Sequence, residues 1–455
     1  KSKTRPIGKC NRLLADVNRT RASAAAQTIG RLLLSPYGQK AIGVRCGGET
    51  IANTIQLRML QKLSTLTIFS DCSNAFCRCD LEVMTKALME AIAMATDGDP
   101  PPDMTWTAED RQALVTALTH ALDDLVFYRT EAARALTVVD GKIEALTLEA
   151  GEVQGGLWSM LRFSVMLVML VFKPLRAQYP EMAPRMIADD ATMQITINTP
   201  ADLDYAAKWC CDYDELMTKC SMLNNFGKFV LLQHRKYRGT DCDVRKFISK
   251  FPKDKVTGKP PKVKDDAHAV NGVAVGYDIA AMQEITMMPA RALADRTEAL
   301  AAYIHLAGPQ ELEIVGRQSY APRSVLNHIA RGTDFAVVRP ALEHAHESQT
   351  HLLRKIGRVS DYVLPDVNLV HAGEADAAGD EPRQPCQPAS ERHVAASMSL
   401  SHRWGGIGWT NMNMICQACR TAQLIDTLKG MDEMQDVTIP AFGQWESSQI
   451  PMFRD

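Results

Sequence analysis

Neighbouring aspartates are the residues of this sequence with the clearest chemical potential. Asp189 and Asp190 fall between two short apolar-rich segments (MIA and ATMQI), so we expect them at the tip of a β-hairpin. Asp71 follows the β-favouring run Leu63–Ser70, which predicts a buried strand. Carboxylates close together repel one another unless a cation or a polar partner offsets the repulsion. Where such a strand end meets such a hairpin, the carboxylates can hold two divalent ions, and Mg²⁺ is the hard cation that matches their oxygens.

Other aspartate pairs in the chain predict no chemistry. Asp123 and Asp124 lie in the helical pattern Ala108–Tyr128, which predicts a solvated helix face. Asp265 and Asp266 end a segment rich in Lys and Pro, which predicts surface charge. An Asp-Asp hairpin by itself is more often structural than metal-binding, so the interpretation depends on the elements around it.

A glycine-rich segment precedes the most apolar stretch of the chain. Gln154 and Gly155 lie within Gly151–Gly156, where a backbone without side chains can approach a ligand closely. Alone, that segment is an ordinary turn before a helix. The run Leu157–Leu175 has about the length of a membrane span, but two basic side chains interrupt it, so we predict a buried core helix instead.

Taken in order along the chain, these segments resemble a reverse transcriptase of the non-LTR retrotransposon type. Four motifs carry the resemblance: Asp71–Phe76 (DCSNAF) is similar to the first catalytic motif, Gln154-Gly155 to the motif that positions template and nucleotide, Ile187–Asp190 to the Ala-Asp-Asp hairpin, and Leu223–Lys228 (LNNFGK) to the segment after it. Four further segments extend it: the finger motif at Arg5–Ile7, the turn before the palm at Gly43–Glu49, the primer-grip hairpin at Asn271–Gly276 and a Gly-Gly-x-Gly segment at Trp404–Gly408. Each motif is common alone, whereas the ordered set is specific.

The resemblance implies an α+β fold of the right-hand polymerase type. Fingers and a palm, an antiparallel sheet packed on helices, would be followed by a helical thumb and a small C-terminal helical segment; strands that alternate with long helices agree with this class. We predict partial fingers at 1–62, the palm at 63–240 with an insertion at 97–150, a basic loop and primer-grip hairpin at 241–277, the thumb at 278–365, a linker at 366–392 and the C-terminal segment at 393–455.

The resemblance also implies roles for single residues. Asp71, Asp189 and Asp190 would be the ligands of two Mg²⁺ ions, with Mn²⁺ as a substitute, and would be catalytic together with Lys228, which would neutralise the pyrophosphate. The nucleotide would contact Arg5, Phe76, Gln154 and Gly155, and the primer would contact Gly272, Val273 and Gly276. The implied partners are an RNA template, a DNA primer and deoxynucleoside triphosphates.

Phe76 bears on the choice of substrate. RNA-dependent RNA polymerases commonly have an acidic residue at this place in the motif, where it recognises a ribose hydroxyl. An aromatic ring under the sugar would instead clash with the 2′-hydroxyl and favour deoxynucleotides. The alternative is a core aromatic that follows a strand. In the same way, Arg5 could belong to an exposed basic terminus, and Lys228 could be an ordinary surface lysine.

Two further segments carry alternatives. Arg245–Lys264 has eight Lys or Arg residues in twenty, which predicts either a surface that contacts phosphates or a solvated loop. The lysines concerned are Lys246, Lys250, Lys253, Lys255, Lys259 and Lys262. Cys416 and Cys419 have a zinc-like spacing, but no second pair of Cys or His residues completes it, so a helix is favoured there.

Composition bounds these interpretations. The 455 residues are 46% apolar and 23% charged, which excludes disordered, collagen-like and small disulfide-stapled proteins. Lys plus Arg (51) against Asp plus Glu (53) leaves a net charge of −2, so a surface that binds nucleic acid must be local. The twelve scattered cysteines are typical of reduced thiols, and we expect an intracellular protein, nuclear or cytoplasmic, with no membrane partner. The sequence leaves the oligomeric state open.

Two functions from different classes follow. The first is an RNA-directed DNA polymerase that copies a retroelement RNA. The second is a decayed or domesticated relative that folds and binds nucleic acid without catalysis. The presence of Asp71, Gln154, Asp189 and Asp190 together favours the enzyme, since drift would spare all of them only by chance.

Overall fold

The structure is a computed structural model, and it describes residues 12–42, 47–73, 75–102, 104–130, 134–139, 142–147, 158–182, 184–303, 323–357 and Gln423. The chain divides into two units between Asp266 and Ala267. This division falls inside the segment 241–277, which the sequence analysis treats as one piece. The linker and C-terminal segment predicted at 366–455 lie outside the described residues, apart from Gln423.

The first unit alternates helices with short strands. In chain order they are α1 (Arg12–Ile29), which continues as a π-helical turn (Gly30–Leu34), α2 (Gly47–Gln61), β1 (Thr65–Phe69), α3 (Ala75–Arg78), α4 (Leu81–Asp97), α5 (Ala108–Thr130), β2 (Arg134–Val139), β3 (Lys142–Thr147), α6 (Ser159–Leu167), α7 (Lys173–Gln178), β4 (Arg185–Ile187), β5 (Asp190–Thr196), α8 (Pro200–Lys219), β6 (Val230–Gln233) and β7 (Lys262–Lys264). The predicted strand at Leu63–Ser70 and the predicted hairpin around Asp189 are confirmed.

β1 is the centre of a five-stranded sheet of order β4-β5-β1-β6-β7. All of its residues are buried, because the sequence TLTIF is apolar or β-branched and a strand lies on each side. β1 pairs antiparallel with β5 and β6, and β4 and β5 form a hairpin. The C-terminal end of β1 therefore lies beside the hairpin that carries the Asp-Asp pair. β7 joins β6 in parallel.

The long apolar stretch forms a helix inside the first unit. α6 continues through a π-helical turn at Val168–Phe172 into α7, and the side chains of Phe163 and Phe172 are buried in the main core. The predicted core helix is confirmed. Among the described residues, no helix is both long and apolar enough to cross a membrane.

Arg162 in this helix corrects one expectation. Its side chain is only 3% exposed and forms an ion pair with Asp124 of α5, which is 25% exposed. Asp124 therefore does not lie on a solvated helix face, although its neighbour Asp123 is exposed. The helical pattern of α5 does not distinguish these adjacent carboxylates, because only the packing of α6 decides which one meets the buried guanidinium.

The second unit is a hairpin followed by helices. Its elements are β8 (Ala267–Val270), β9 (Val273–Gly276), α9 (Ile279–Tyr303), α10 (Arg323–Gly332) and α11 (Phe335–Gly357). Apolar side chains of the three helices share one core, formed by Ala290, Leu293, Leu326, Ile329, Val338, Ala341 and Leu342 among others. A helical region at this place in the chain agrees with the sequence expectation.

Candidate active site

Asp71 is positioned by the hydrogen bonds at the end of β1. Phe69 pairs with Thr192 of β5, and one step further the Ser70 backbone N–H donates to the Ala191 carbonyl at 2.9 Å. The Ser70 hydroxyl also donates to that carbonyl and accepts from the Ala191 N–H, both at 3.0 Å. Continuing this register by one residue brings Asp71 level with Asp190.

The turn of the Asp-Asp hairpin lies one residue earlier than the predicted turn at Asp189 and Asp190. Ile187 pairs with Asp190, so the turn residues are Ala188 and Asp189, and Asp190 is the first residue of β5. Asp189 is half-buried and Asp190 is exposed. The two carboxylates therefore do not both lie at the hairpin tip, because a two-residue turn that begins at Ala188 leaves Asp190 in the strand.

Cys72 lies near both of the predicted carboxylates, Asp71 and Asp189. Burial, which is the largest cause, and the negative charges of Asp189 and Asp71 raise the pKa of the Cys72 thiol to about 12. The thiol is buried and donates to the Leu223 carbonyl at 3.4 Å. Residues 118 positions apart in sequence, 71 and 189, thus act on a single side chain. The structure brings the strand-end carboxylate and the hairpin carboxylate into one site, as the sequence analysis predicts.

Lys228 lies in the same site. The segment 223–228 runs beside Asp71, since the Asn225 N–H donates to the Asp71 carbonyl and the Ser73 N–H to the Leu223 carbonyl, each at 2.9 Å. The Lys228 Nζ then donates to Asp71 Oδ2 at 3.0 Å, with the two side chains 53% and 33% exposed. Lys228 is thus both exposed and paired with the Asp71 carboxylate, and its role with the pyrophosphate stays a prediction.

Asp254 stabilises the turn at residues 254–258 and contacts the segment that carries Lys228. The sequence analysis does not identify this residue. Its carboxylate accepts hydrogen bonds from the Thr257 hydroxyl at 2.7 Å and from the Thr257 and Val256 N–H groups, and another comes from the Gly227 backbone. These bonds lower the pKa of Asp254, those from Thr257 most. The contact with Gly227 fixes the residue before Lys228. The available signal was the sequence Asp-x-x-Thr-Gly, which is typical of an Asx turn.

Phe76 lies on α3, close behind the Asp71 motif. Its ring stacks on Phe163 with centroids 4.3 Å apart and planes inclined by 24°, and its side chain is half-buried. The core interpretation thus accounts for one face of the ring. Because the side chain is only half-buried, the other interpretation, in which the ring excludes a ribose 2′-hydroxyl, stays a prediction.

The carboxylates fit a divalent metal by donor chemistry, since Asp oxygens are hard ligands. As the described side chains stand, no group of three or more His, Cys, Asp or Glu residues lies close enough together to hold a metal ion. Metal ligation by Asp71, Asp189 and Asp190 stays a prediction. In the described structure the Asp71 carboxylate is instead paired with the Lys228 ammonium.

The basic segment 245–264 is ordered and partly neutralised within the first unit. Lys246 pairs with Asp241 at 3.3 Å, Lys250 with Asp204 at 2.5 Å and Lys255 with Asp214 at 3.0 Å. The other three predicted lysines are exposed and form no ion pair with another described residue: Lys253, Lys259 and Lys262. Residues 255–260 are exposed and lie outside helices and strands. Both interpretations of the segment, a surface that contacts phosphates and a solvated loop, therefore stay predictions.

Asp265 also differs from its predicted role as free surface charge. Its side chain is 14% exposed and accepts from Arg245 at 3.1 Å and from Arg238. Two guanidinium groups of the same region therefore neutralise one carboxylate, which further lowers the net charge that this segment could offer a phosphate backbone.

The predicted primer-grip residues form the hairpin of the second unit. Gly272, Val273 and Gly276 belong to the turn and strand of β8–β9, with Asn271 (φ +50°) and Gly272 (φ +83°) both in the left-handed region. The Asn271 carbonyl lies 2.7 Å from His328 Nε2, which ties the turn to α10. Contact of these residues with a primer stays a prediction.

Several predicted site residues lie outside the described residues: Arg5, Gln154, Gly155, Cys416 and Cys419. Their roles stay predictions.

Of the known proteins compared with this chain, only solved structures match it. No family model and no curated protein matches the chain. Similar solved structures include telomerase from Candida albicans with a TWJ fragment of telomeric RNA (10% identity, TM-score 0.39, 94% of this chain and 59% of that one) and apo telomerase from Candida tropicalis (10%, 0.38, 94% and 61%). Telomerase from Candida tropicalis with the TWJ fragment has 13% identity and a TM-score of 0.32, covering 85% of this chain and 50% of that one. The chain thus spans about half to three-fifths of these matched chains, and we take no residue's role from them.

Proposed function

We propose that this protein is an RNA-directed DNA polymerase of the non-LTR retrotransposon type, with an RNA template, a DNA primer and deoxynucleoside triphosphates as its partners. The observation that carries the proposal is that Asp71, at the end of β1, lies level with Asp190 of the β4–β5 hairpin, whose turn contains Asp189. The ordered motifs predict this meeting between residues far apart in sequence. Such carboxylates at adjoining strand ends match the needs of nucleotidyl transfer.

The reaction would lengthen a primer by one nucleotide at a time. The primer 3′-oxygen forms a bond to the α-phosphorus of the incoming nucleotide, the hydroxyl proton is lost to solvent, and the bond between the α- and β-phosphates breaks to release pyrophosphate. Mg²⁺, with Mn²⁺ as a substitute, would be held by Asp71, Asp189 and Asp190 and would supply charge neutralisation when bound.

The chain's own residues would then orient the substrates. Lys228, whose ammonium lies 3.0 Å from Asp71, would neutralise charge on the departing pyrophosphate. Phe76 would exclude a ribose 2′-hydroxyl. Arg5, Gln154 and Gly155 would contact the nucleotide. Template sequence would be read by base pairing, so the protein needs only shape and backbone contacts. We place this activity in the nucleus or the cytoplasm, where reduced cysteines are the rule.

Primer extension on an RNA template tests the proposal. The wild-type protein, the variant Asp189→Asn and the control Asp123→Asn are compared with deoxy- and ribonucleotides and Mg²⁺. We expect extension with deoxynucleotides, a loss of about 1000-fold or more in Asp189→Asn, and wild-type rates in Asp123→Asn, whose carboxylate is exposed on α5.

Binding of the template–primer duplex is measured alongside extension. Asp189→Asn should bind the duplex as the wild type does, so that the loss is catalytic. A folded wild-type protein that binds the duplex and never extends it would overturn the proposal in favour of a non-catalytic nucleic-acid-binding protein.

A further inference from the structure

The residue before the Asp-Asp pair has an unusual backbone. Ala188 has a φ of +55°, in the left-handed region that L-residues other than Gly, Asn and Asp rarely adopt. It is the first residue of a two-residue hairpin turn, a place where a positive φ is normally given to Gly. The conformation of Ala188 sets the direction in which the chain enters Asp189. Something outside the turn must therefore stabilise it.

Gln39 contacts both polar groups of Ala188. Its Nε2 donates to the Ala188 carbonyl at 3.0 Å, and its Oε1 accepts from the Ala188 N–H at 3.0 Å. The same Oε1 accepts from the Ala41 N–H at 3.1 Å. Gln39 is 0% exposed, so these bonds are made where no water could replace them.

The segment that carries Gln39 is itself docked on β4. The Met186 N–H donates to the Gly38 carbonyl at 2.9 Å, and the Lys40 N–H donates to the Met186 carbonyl at 2.8 Å. Gly38 has a φ of +88°, and a Cβ there would lie 1.9 Å from the Pro184 carbonyl oxygen. Only glycine allows this approach, which brings the Gln39 amide to the turn.

We propose that Gln39 is a positioning residue that holds Ala188 in the left-handed conformation and thereby sets the direction of Asp189 and Asp190. The expected effect on rate rests on the proposed polymerase function. The contact between Gln39 and Ala188 does not. A carboxylate displaced by a relaxed turn would be poorly placed for metal and substrate, and such displacements of about 1 Å can cost about 100-fold in rate.

Gln39→Met tests the contact without opening a cavity, because Met has a similar volume and none of the amide's hydrogen bonds. The chain offers a matched control in Gln233 of β6, which is 3% exposed. Its amide makes the same kind of pair, donating to the Cys242 carbonyl at 2.7 Å and accepting from the Val244 N–H at 2.9 Å. Gln233→Met therefore removes an equivalent buried amide away from the hairpin.

We expect Gln39→Met to lower kcat for primer extension by about 100-fold and to raise the Mg²⁺ concentration that gives half-maximal rate. Gln233→Met should change neither, although both variants lose stability. A second substitution gives the decisive readout. Since Gly adopts a positive φ at little cost, Ala188→Gly in the Gln39→Met background should recover about tenfold of the lost rate.

Hydrogen exchange separates this inference from the polymerase proposal. Exchange of the backbone amides at 186–190 should be faster in Gln39→Met than in the wild type and unchanged there in Gln233→Met. If the wild type extends no primer, the polymerase proposal fails while this comparison still tests the contact. Unchanged exchange at 186–190, or equal kinetic losses in the two Met variants, would overturn the role of Gln39. Should Gln39→Met not fold by circular dichroism, the double variant with Ala188→Gly takes its place in both assays.

Discussion

The ring of Phe76 contacts the core on one face and is half-exposed overall. A ring that served the core alone would be expected to bury both faces, as Phe163 does with 0% exposure. A ring that also met a nucleotide sugar needs a supported face and an open one. Stacking on Phe163 would give Phe76 the rigidity that steric exclusion of a hydroxyl requires.

We predict that Phe76→Ala relaxes sugar discrimination. Removing the ring removes the clash with the 2′-hydroxyl, so the ratio of kcat/KM for deoxy- over ribonucleotides should fall by about tenfold or more. The ratio is measured in one enzyme preparation, so it does not depend on how much of the variant is folded. Single-nucleotide extension with each substrate gives both constants.

Phe247 supplies the control for this residue. It is also half-buried and packs against the same core, but it lies in the segment 244–250. Phe247→Ala should lose stability and keep the wild-type ratio. If the two variants discriminate alike, Phe76 is a core aromatic only.

Single residues also mark where reasoning from the sequence succeeds. Asp71, Asp189 and Lys228 are brought together as their motifs predict, because the order of those motifs carries information about three-dimensional neighbours. Gln39 could not be found in this way. It contacts Ala188 across 149 positions, and no local pattern distinguishes it from a surface glutamine.

At the scale of elements, the helix α6 and the strand β1 could be predicted from the sequence. The pairing of β7 with β6 could not. β1 and α6 have sequences made mostly of apolar or β-branched residues, a pattern that indicates burial. β7 (KVK) is mostly polar, and its pairing with β6 follows a turn that the Asp254 carboxylate holds to the Gly227 backbone. Such long-range polar contacts leave no periodic signal.

The pair of helices α5 and α6 allows a stability prediction. Asp124→Ala leaves the Arg162 guanidinium, which is 3% exposed, without this carboxylate. Removing one partner of a buried ion pair is strongly destabilising, and we expect the free energy of unfolding to fall by about 3 kcal/mol. Urea unfolding followed by circular dichroism measures it.

Asp123→Ala is the matched substitution, one residue away on the same helix. Asp123 is exposed, so we expect a change within about 0.5 kcal/mol. Both substitutions alter helix propensity by the same amount, and the difference between them isolates the ion pair. Equal effects would show that Asp124 contributes no more than a surface carboxylate.

At the scale of the whole molecule, the net charge of −2 leaves no overall positive charge to attract nucleic acid. Binding must rest on local groups of cations that are not already neutralised. In the segment 245–264 this condition separates Lys253, Lys259 and Lys262 from Lys246, Lys250 and Lys255, whose ammonium groups pair with described carboxylates.

We predict that the unpaired lysines carry the salt dependence of binding. Each phosphate contact releases counterions, so replacing Lys253, Lys259 and Lys262 together by Gln should make the slope of log K against log salt shallower by about 2. The measurement is fluorescence anisotropy of a labelled RNA–DNA duplex over a series of KCl concentrations, with the wild type beside the variant.

The three paired lysines provide the contrast, since they have the same charge and lie in the same segment. Replacing Lys246, Lys250 and Lys255 by Gln should change the slope by less than about 1, because their ammonium groups already have carboxylate partners and release few counterions on binding. Exposed pairs contribute little to folding, so this variant should stay folded. A slope that falls equally in both variants would mean that the segment acts through its total charge. A slope that falls in neither would remove 245–264 from the nucleic-acid interface and leave phosphate contacts to other parts of the chain.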